Sequence, residues 1–124
     1  MFAGQSNAVG ALGAYGLPPE LVCPETVPFF YSVTNGETLL EGKGPLSTIW
    51  STGGPELSFA HAMYEKGRRI AVVKVAANGT ALDRDWSPPR ASGWGQKLVE
   101  RTQDALAALI AAGNQPRISG LIWI

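Results

Sequence analysis

Three short apolar runs along the chain predict buried strands, and two longer amphipathic stretches predict helices. The runs cover residues 1–3, 70–76 and 118–124, and their nearly continuous apolar character is typical of strands covered on both faces. A helix is predicted from residue 55, where proline and then glutamate begin the first turn, to the glycine at position 67. Apolar residues at helical spacing between positions 98 and 110 predict a second helix, which Gly113 should end.

Residues 12–53 predict a loop-rich insertion, because glycine and proline recur throughout and no helical period is present. One part differs. The sequence YSVT at positions 31–34, followed by Asn35 and Gly36, predicts a short strand that enters a tight turn. An irregular segment of this length in a compact domain is often functional.

The alternation of apolar strands and helices predicts an α/β fold with three layers, α/β/α, around a central parallel sheet. Only three residues precede Gly4, whereas strands usually have about five or six. The chain also stops directly after the apolar sequence Ile-Trp-Ile. We therefore expect residues 1–124 to be the amino-terminal part of one longer domain, incomplete at both ends.

Charge and cysteine content narrow the classes of partner. Ten basic and ten acidic side chains cancel, so nothing favours a nucleic acid or an anionic membrane. No apolar run approaches the roughly 20 residues of a membrane span, and no signal-peptide pattern precedes Phe2. Cys23 is the only cysteine and is expected to be an inert thiol, and no metal-ligand spacing is present.

The sequence GQSN at positions 4–7 puts Ser6 where the first strand should end. At the carboxyl edge of a parallel sheet, its backbone amide could bind an oxyanion. The strand predicted over residues 70–76 is followed by Asn78 and Gly79 at the same edge, so the Gly79 amide is a second candidate donor. The commoner use of such residues is structural, with Ser6 as a helix N-cap and Gly79 as a turn residue.

Three segments share their order and spacing with one group of hydrolases: GQSN at 4–7, GPELSFA at 54–60, and KVAANGTAL at 74–82 followed by Trp86. Together they resemble the signature blocks of the SGNH/GDSL hydrolase superfamily, in the branch of sialate O-acetylesterases and acetylxylan esterases. The sequence LIWI at 121–124 resembles the start of that branch's W-x-Q-G-E-x-D block. The resemblance implies a flavodoxin-like fold and a serine esterase.

The resemblance also implies roles for individual residues. Ser6 matches the nucleophile, and the amides of Ser6 and Gly79 would form the oxyanion hole, with Asn78 as a further donor where the family usually has glycine. An acetylated carbohydrate, such as a sialic acid or a xylan-type glycan, would be deacetylated in two acyl-transfer steps without a metal or organic cofactor. The candidates for substrate or loop contacts are Gln5, Asn7, Glu56 and Trp86.

Other polar and aromatic residues compete for functional roles. His61, the only histidine, is expected to be an ordinary residue of its helix rather than the catalytic base. Glu56 could cap its own helix or bond to the loop around Ser6, and we prefer a structural role. For residues 83–85 we prefer a solvated charged loop over the alternative of contacts with substrate hydroxyls. Two alternatives stay equally open for Trp50, Trp86 and Trp94, namely sugar binding and local cores.

The family's base histidine and Q-G-E block would lie beyond Ile124, so we expect activity to require residues beyond that position. The alternative is a non-catalytic carbohydrate-binding domain, or a degenerate hydrolase that lacks the base. Because many relatives are exported, the resemblance favours a secreted or periplasmic location. The sequence does not indicate an oligomeric state.

Overall fold

The computed structural model of the chain describes residues 1–10, 26–46, 54–87 and 93–124. In chain order, its elements are β1 (Phe2–Gly4), α1 (Ser6–Val9), β2 (Pro28–Asn35), β3 (Thr38–Pro45), α2 (Pro55–Glu65), β4 (Val72–Ala76), α3 (Leu82–Asp85), α4 (Trp94–Ala111) and β5 (Ile122–Trp123). The predictions for Cys23 and Trp50 concern residues outside the described ranges.

The strands form one sheet in the order β3-β2-β4-β1-β5. Only the β2–β3 pair is antiparallel, and the pairs β2–β4, β4–β1 and β1–β5 are parallel. Helices cover both faces, because Val72 packs with Leu57 of α2 whereas Val73 packs with Ala105 of α4. This arrangement confirms the predicted α/β fold.

The sequence signals around α2 and β4 are confirmed. Pro55 lies in the first turn of α2, and Gly67 follows the helix with a φ of +66°. Every residue of β4 is buried, as expected for a central strand with helices on both faces. The strand begins at Val72, two residues later than the sequence indicated.

In the described part of residues 12–53, where the sequence indicated one short strand and a turn, β2 and β3 form a hairpin of eight residues per strand. Its turn lies at Gly36, which has a φ of +60° and follows Asn35 as the sequence predicted. Gly42 and Gly44 are untypical of strands, so the sequence did not indicate β3. The sheet tolerates them because β3 is an edge strand. Gly42 is also required for space, since a Cβ there would collide with the Tyr31 ring.

The helix predicted from residue 98 begins at Trp94, and its apolar stripe is only partly buried. Thr102 and Ala105 are buried against the sheet, whereas Ile110 is exposed. The prediction for residues 83–85 is also only partly right, because these residues form the helical turn α3 rather than an irregular loop. None of the described helices has the length and apolar character needed to cross a membrane.

The buried strand predicted over residues 118–124 is wrong. β5 has two residues, and both of them are exposed. It forms the other edge of the sheet, paired with β1 on one side. An apolar sequence indicates that a strand can be buried, but burial requires a neighbouring element that packs on it.

A polar cluster joins the hairpin to α4. We call it the Glu41 cluster: Oε1 of Glu41 accepts hydrogen bonds from Ser32 Oγ at 2.7 Å, Lys97 Nζ at 2.9 Å and Arg101 Nη2 at 3.1 Å. The hydrogen bond from Ser32 and those from the two cations lower the pKa of Glu41 to about 2. The cluster therefore fixes the edge hairpin to the helix that covers its face.

Candidate active site

Two turns leave the same edge of the sheet side by side. Strands β1 and β4 are parallel neighbours with Gly4 opposite Ala76, and the Ala77 amide donates to the Gly4 carbonyl at 3.1 Å. We call residues 5–10 the Ser6 turn and residues 77–80 the Gly79 turn. Their adjacency at the carboxyl ends of parallel strands is the position where α/β folds bind ligands.

Ser6 is the first residue of α1 and is exposed, as are Gln5 and Asn7. The N-cap of α1 is Gln5, so the structural alternative that made Ser6 an N-cap is wrong. The amides of Ala8 and Val9 donate to the Gln5 carbonyl at 2.9 and 3.1 Å. The Ser6 side chain therefore lies at the solvent-facing start of a single helical turn.

Gly4 brings the backbones of β1 and β5 together, just before the Ser6 turn. A Cβ at Gly4 would collide with the carbonyl oxygen of Ile124, and the φ of +147° also favours glycine. The Gln5 amide donates to that same carbonyl at 3.1 Å. The lack of a side chain at Gly4 therefore allows the backbone after β5 to approach it closely.

The Gly79 turn depends on a left-handed glycine and on hydroxyl contacts. Gly79 has a φ of +68° and is exposed. The Asn78 amide donates to Thr34 Oγ1 of β2 at 2.8 Å, so it would have to leave this partner to bind an oxyanion. The Thr80 hydroxyl donates to the Ala77 carbonyl at 2.9 Å, which closes the turn.

Trp86 supports the Gly79 turn from the core. It is only 6% exposed, and its Nε1 donates to Thr80 Oγ1 at 3.0 Å. Its ring packs edge-on against Trp123 at 4.7 Å between centroids and lies tilted beside Trp94 at 6.1 Å. For Trp86, the structure thus favours the local-core alternative over an exposed surface for sugar rings.

Glu56 and Lys74 form a fully buried ion pair beneath the Ser6 turn. Glu56 Oε1 and Lys74 Nζ are 2.7 Å apart, and both side chains are inaccessible to solvent. Lys74 Nζ also donates to the carbonyl oxygen of Val9, the last residue of α1, at 2.8 Å. Burial lowers the pKa of Lys74, and the Glu56 carboxylate partly opposes this shift.

Comparison with protein families identifies the group to which these segments belong. A family model described as "Carbohydrate esterase, sialic acid-specific acetylesterase" matches residues 1–124. The chain belongs to this carbohydrate esterase family. The resemblance read from GQSN and the two later segments is thereby confirmed.

A solved structure from Arabidopsis thaliana, an X-ray structure of a protein at 1.6 Å resolution, is similar to this member of the family. The TM-score is 0.61 and the sequence identity is 22%, over 98% of this chain and 55% of the plant chain. At this identity the likeness shows the fold, and our chain spans about half the length of that protein. A search of curated proteins gives no match.

The polar contact of His61 lies on its own helix, whereas Asp85 is linked to the Gly79 turn through Arg84, which donates to the Gly79 carbonyl at 3.4 Å. His61 on α2 has its Nε2 3.9 Å from Glu65 Oε1, one helical turn further along. Among the described residues, no hydrogen bond joins His61 to Ser6. Asp85 accepts a hydrogen bond from the Ala81 amide at 2.8 Å and pairs with the exposed Arg84, which raises the pKa of Arg84.

Sequence reasoning missed the structural roles of Lys74 and Thr34. A single lysine within the apolar run of β4 was the available signal, since a charge there needs a buried partner. Thr34 gave no comparable signal, because its contact with Asn78 joins residues 44 positions apart. Within the described ranges, no group of three or more His, Cys, Asp or Glu side chains could hold a metal ion.

Proposed function

We propose that this protein removes acetyl groups from a carbohydrate, such as a sialic acid or a xylan-type glycan, with Ser6 as the nucleophile. Membership of the carbohydrate esterase family supports the reaction class. The observation that carries the residue assignment is the exposed Ser6 turn beside the Gly79 turn at the carboxyl edge of β1 and β4.

The proposed reaction has two acyl-transfer steps. A histidine takes the proton from the Ser6 hydroxyl as its oxygen attacks the ester carbonyl, and the amides of Ser6 and Gly79 stabilise the oxyanion. The bond to the sugar oxygen then breaks, and the sugar leaves as an alcohol with that proton. Water, deprotonated by the same histidine, attacks the acetyl–Ser6 ester and releases acetate and the free serine.

The proposed donors are the Ser6 and Gly79 amides, because the Asn78 amide is already bonded to Thr34. We do not assign the base to His61, whose polar partner is Glu65. The family resemblance instead implies a histidine beyond Ile124. The activity is therefore proposed for the whole protein that carries residues 1–124.

The test compares Ser6→Ala with Ser58→Ala in the full natural polypeptide. Ser58 is an exposed serine of α2 that bonds to the Pro55 carbonyl, so its variant controls for the loss of a hydroxyl. We expect Ser6→Ala to lower kcat for acetylated sialic acid or acetylated xylo-oligosaccharides by about 1,000-fold or more, and Ser58→Ala to leave it unchanged.

Equal activity of Ser6→Ala and the natural protein would contradict the assignment of the nucleophile. Binding of these glycans by the natural protein without any acetate release would contradict the proposed reaction. That result would support the alternative of a carbohydrate-binding domain.

A further inference from the structure

The Glu56–Lys74 pair lies in an unusual place for two charges. Lys74 is at the middle of the central strand β4, opposite Phe2 of β1 and Tyr31 of β2, and both charged groups are removed from water. Burial of a charged pair is expensive, and an apolar pair of similar volume often stabilises a fold equally well. The fold alone therefore gives no strong reason for these two residues.

The lysine has a second contact, which reaches the Ser6 turn. Helix α1 has only four residues, too few for a helix to be stable without external contacts. Its last carbonyl, that of Val9, has no partner within the helix and accepts instead from Lys74 Nζ at 2.8 Å. A cation at this end is also favoured by the partial negative charge of the terminal carbonyls.

Gly54 shows that the geometry of the pair is tightly constrained. A Cβ at this position would lie 2.6 Å from Lys74 Nζ, and it would overlap the Glu56 carboxylate. The carboxylate thus folds back over the residue that precedes α2. The φ of Gly54, −121°, is accessible to any residue. The position therefore requires glycine for space and not for conformation.

We propose that the Glu56–Lys74 pair positions the nucleophile: Glu56 fixes the Lys74 ammonium, which fixes the end of α1 and hence the direction of the Ser6 hydroxyl. This inference rests on the proposed function of Ser6. Both residues act through the Val9 carbonyl and are positioning residues, with no contact to substrate required.

The test replaces the pair in the full natural polypeptide by Glu56→Leu with Lys74→Met, which keeps the volume but removes both charges and the bond to Val9. We expect a folded protein whose kcat for an acetyl ester falls about 10- to 100-fold while KM changes less than about threefold. Backbone amides of residues 8–10 should exchange with deuterium faster than in the natural protein, because their turn has lost its outer contact.

The matched control is Glu41→Leu with Lys97→Met, which removes a glutamate–lysine pair of 2.9 Å from the Glu41 cluster. This pair joins β3 to α4, and it has no contact with the Ser6 turn. We expect the control to keep kcat and the exchange rates of residues 8–10 unchanged. A folded Glu56/Lys74 double variant with natural kcat and natural exchange at residues 8–10 would overturn the proposal.

Two single variants give an independent test if the double variant fails to fold. Glu56→Asp keeps the charge but withdraws it by one methylene, whereas Glu56→Gln keeps the length and an acceptor oxygen. We expect Glu56→Asp to lose more kcat and more exchange protection at residues 8–10 than Glu56→Gln. Equal kcat and equal exchange in the two variants would contradict positioning by geometry.

The exchange measurement separates the two proposals. If Ser6→Ala keeps full activity, the proposed function fails, while faster exchange of residues 8–10 in the double variant still shows that the pair holds the turn. If Ser6→Ala is inactive and that exchange is unchanged, the positioning inference alone fails.

Discussion

The Ser6 turn and the Gly79 turn leave neighbouring strands at the same edge of the sheet, but different kinds of contact hold them. Beneath the Ser6 turn, the charged pair Glu56–Lys74 reaches the Val9 carbonyl from the α2 face. The Gly79 turn is held from the core by a neutral contact, the Trp86 indole bonded to Thr80, and its charged contact is at the surface, where exposed Arg84 donates to the Gly79 carbonyl at 3.4 Å.

The difference determines how each support fails. Loss of one partner from a buried ion pair leaves an uncompensated charge, whereas loss of one neutral hydrogen bond leaves a group that water or a small shift can satisfy. Thr80 is only partly buried, in contrast to the fully buried Glu56 and Lys74. The Ser6 turn is therefore expected to tolerate fewer substitutions beneath it than the Gly79 turn.

The largest expected effect comes from breaking each support singly. Lys74→Ala should lower the free energy of unfolding by about 3–5 kcal/mol, because Glu56 stays buried without its partner. Trp86→Phe, which removes the indole N–H but keeps an aromatic ring, should cost about 1–2 kcal/mol. Urea unfolding followed by circular dichroism measures both, and equal losses would contradict the distinction between the two supports.

Gly54→Ala perturbs the charged support without removing either charge. The added methyl group would overlap the Glu56 carboxylate and crowd Lys74 Nζ, so we expect a loss of about 1–3 kcal/mol in the same unfolding measurement. Gly120→Ala is the control, since a Cβ there meets no atom within 4 Å. A Gly54→Ala protein as stable as Gly120→Ala would show that the pair has room to move.

Gly79→Ala perturbs the Gly79 turn through the backbone conformation at position 79. Gly79 and Gly67 have φ values of +68° and +66°, and a Cβ at either position meets no atom within 4 Å. Each alanine variant should therefore lose about 1–2 kcal/mol of stability. Only Gly79→Ala should also lower kcat, because the strain at a φ of +68° should displace the amide that is a proposed oxyanion donor. Equal kcat in the two variants would show that the activity does not depend on the left-handed backbone conformation at position 79.

The smallest effect is expected from the Glu41 cluster, a charged contact outside both turns. The pKa of Glu41 is about 2 in the folded protein, against an ordinary value of 4.5. The contribution of the Glu41 carboxylate to stability is therefore complete above pH 4.5 and is lost as the pH falls towards 2. Glu41→Gln should flatten this part of the stability profile measured by acid titration. Because the Glu41 side chain is 35% exposed, its loss at pH 7 should cost less than about 1 kcal/mol. An unchanged acid profile would contradict this role.

Local sequence signals predicted much of the fold. Pro55 and Gly67 marked the ends of α2, and the apolar run marked β4, because these signals act within a few residues of the chain. The hairpin strand β3 was hidden by its glycines, and β5 was expected to be buried although nothing in its sequence specifies a covering element. Exposure depends on distant parts of the chain, which local patterns do not contain.

The candidate site was predictable in its parts but not in its contacts. GQSN, the segment containing Glu56 and the segment containing Lys74 were each recognised from the sequence. The contacts of Lys74 with Glu56 and Val9 are visible only in the folded protein. Lys74 lies 18 residues from Glu56 and 65 from Val9 along the chain. Likewise, the burial of Trp86 depends on its packing against Trp123 of β5.

The most direct test of the central claim is the reaction of the full natural polypeptide with a fluorophosphonate, followed by mass spectrometry of its peptides. A serine activated by a base and an oxyanion hole forms a stable covalent adduct, whereas an ordinary serine does not. The account predicts one adduct per chain, located on Ser6, with no labelling of Ser6→Ala. Labelling at another residue, or none in a protein that releases acetate, would contradict the claim that Ser6 is the nucleophile.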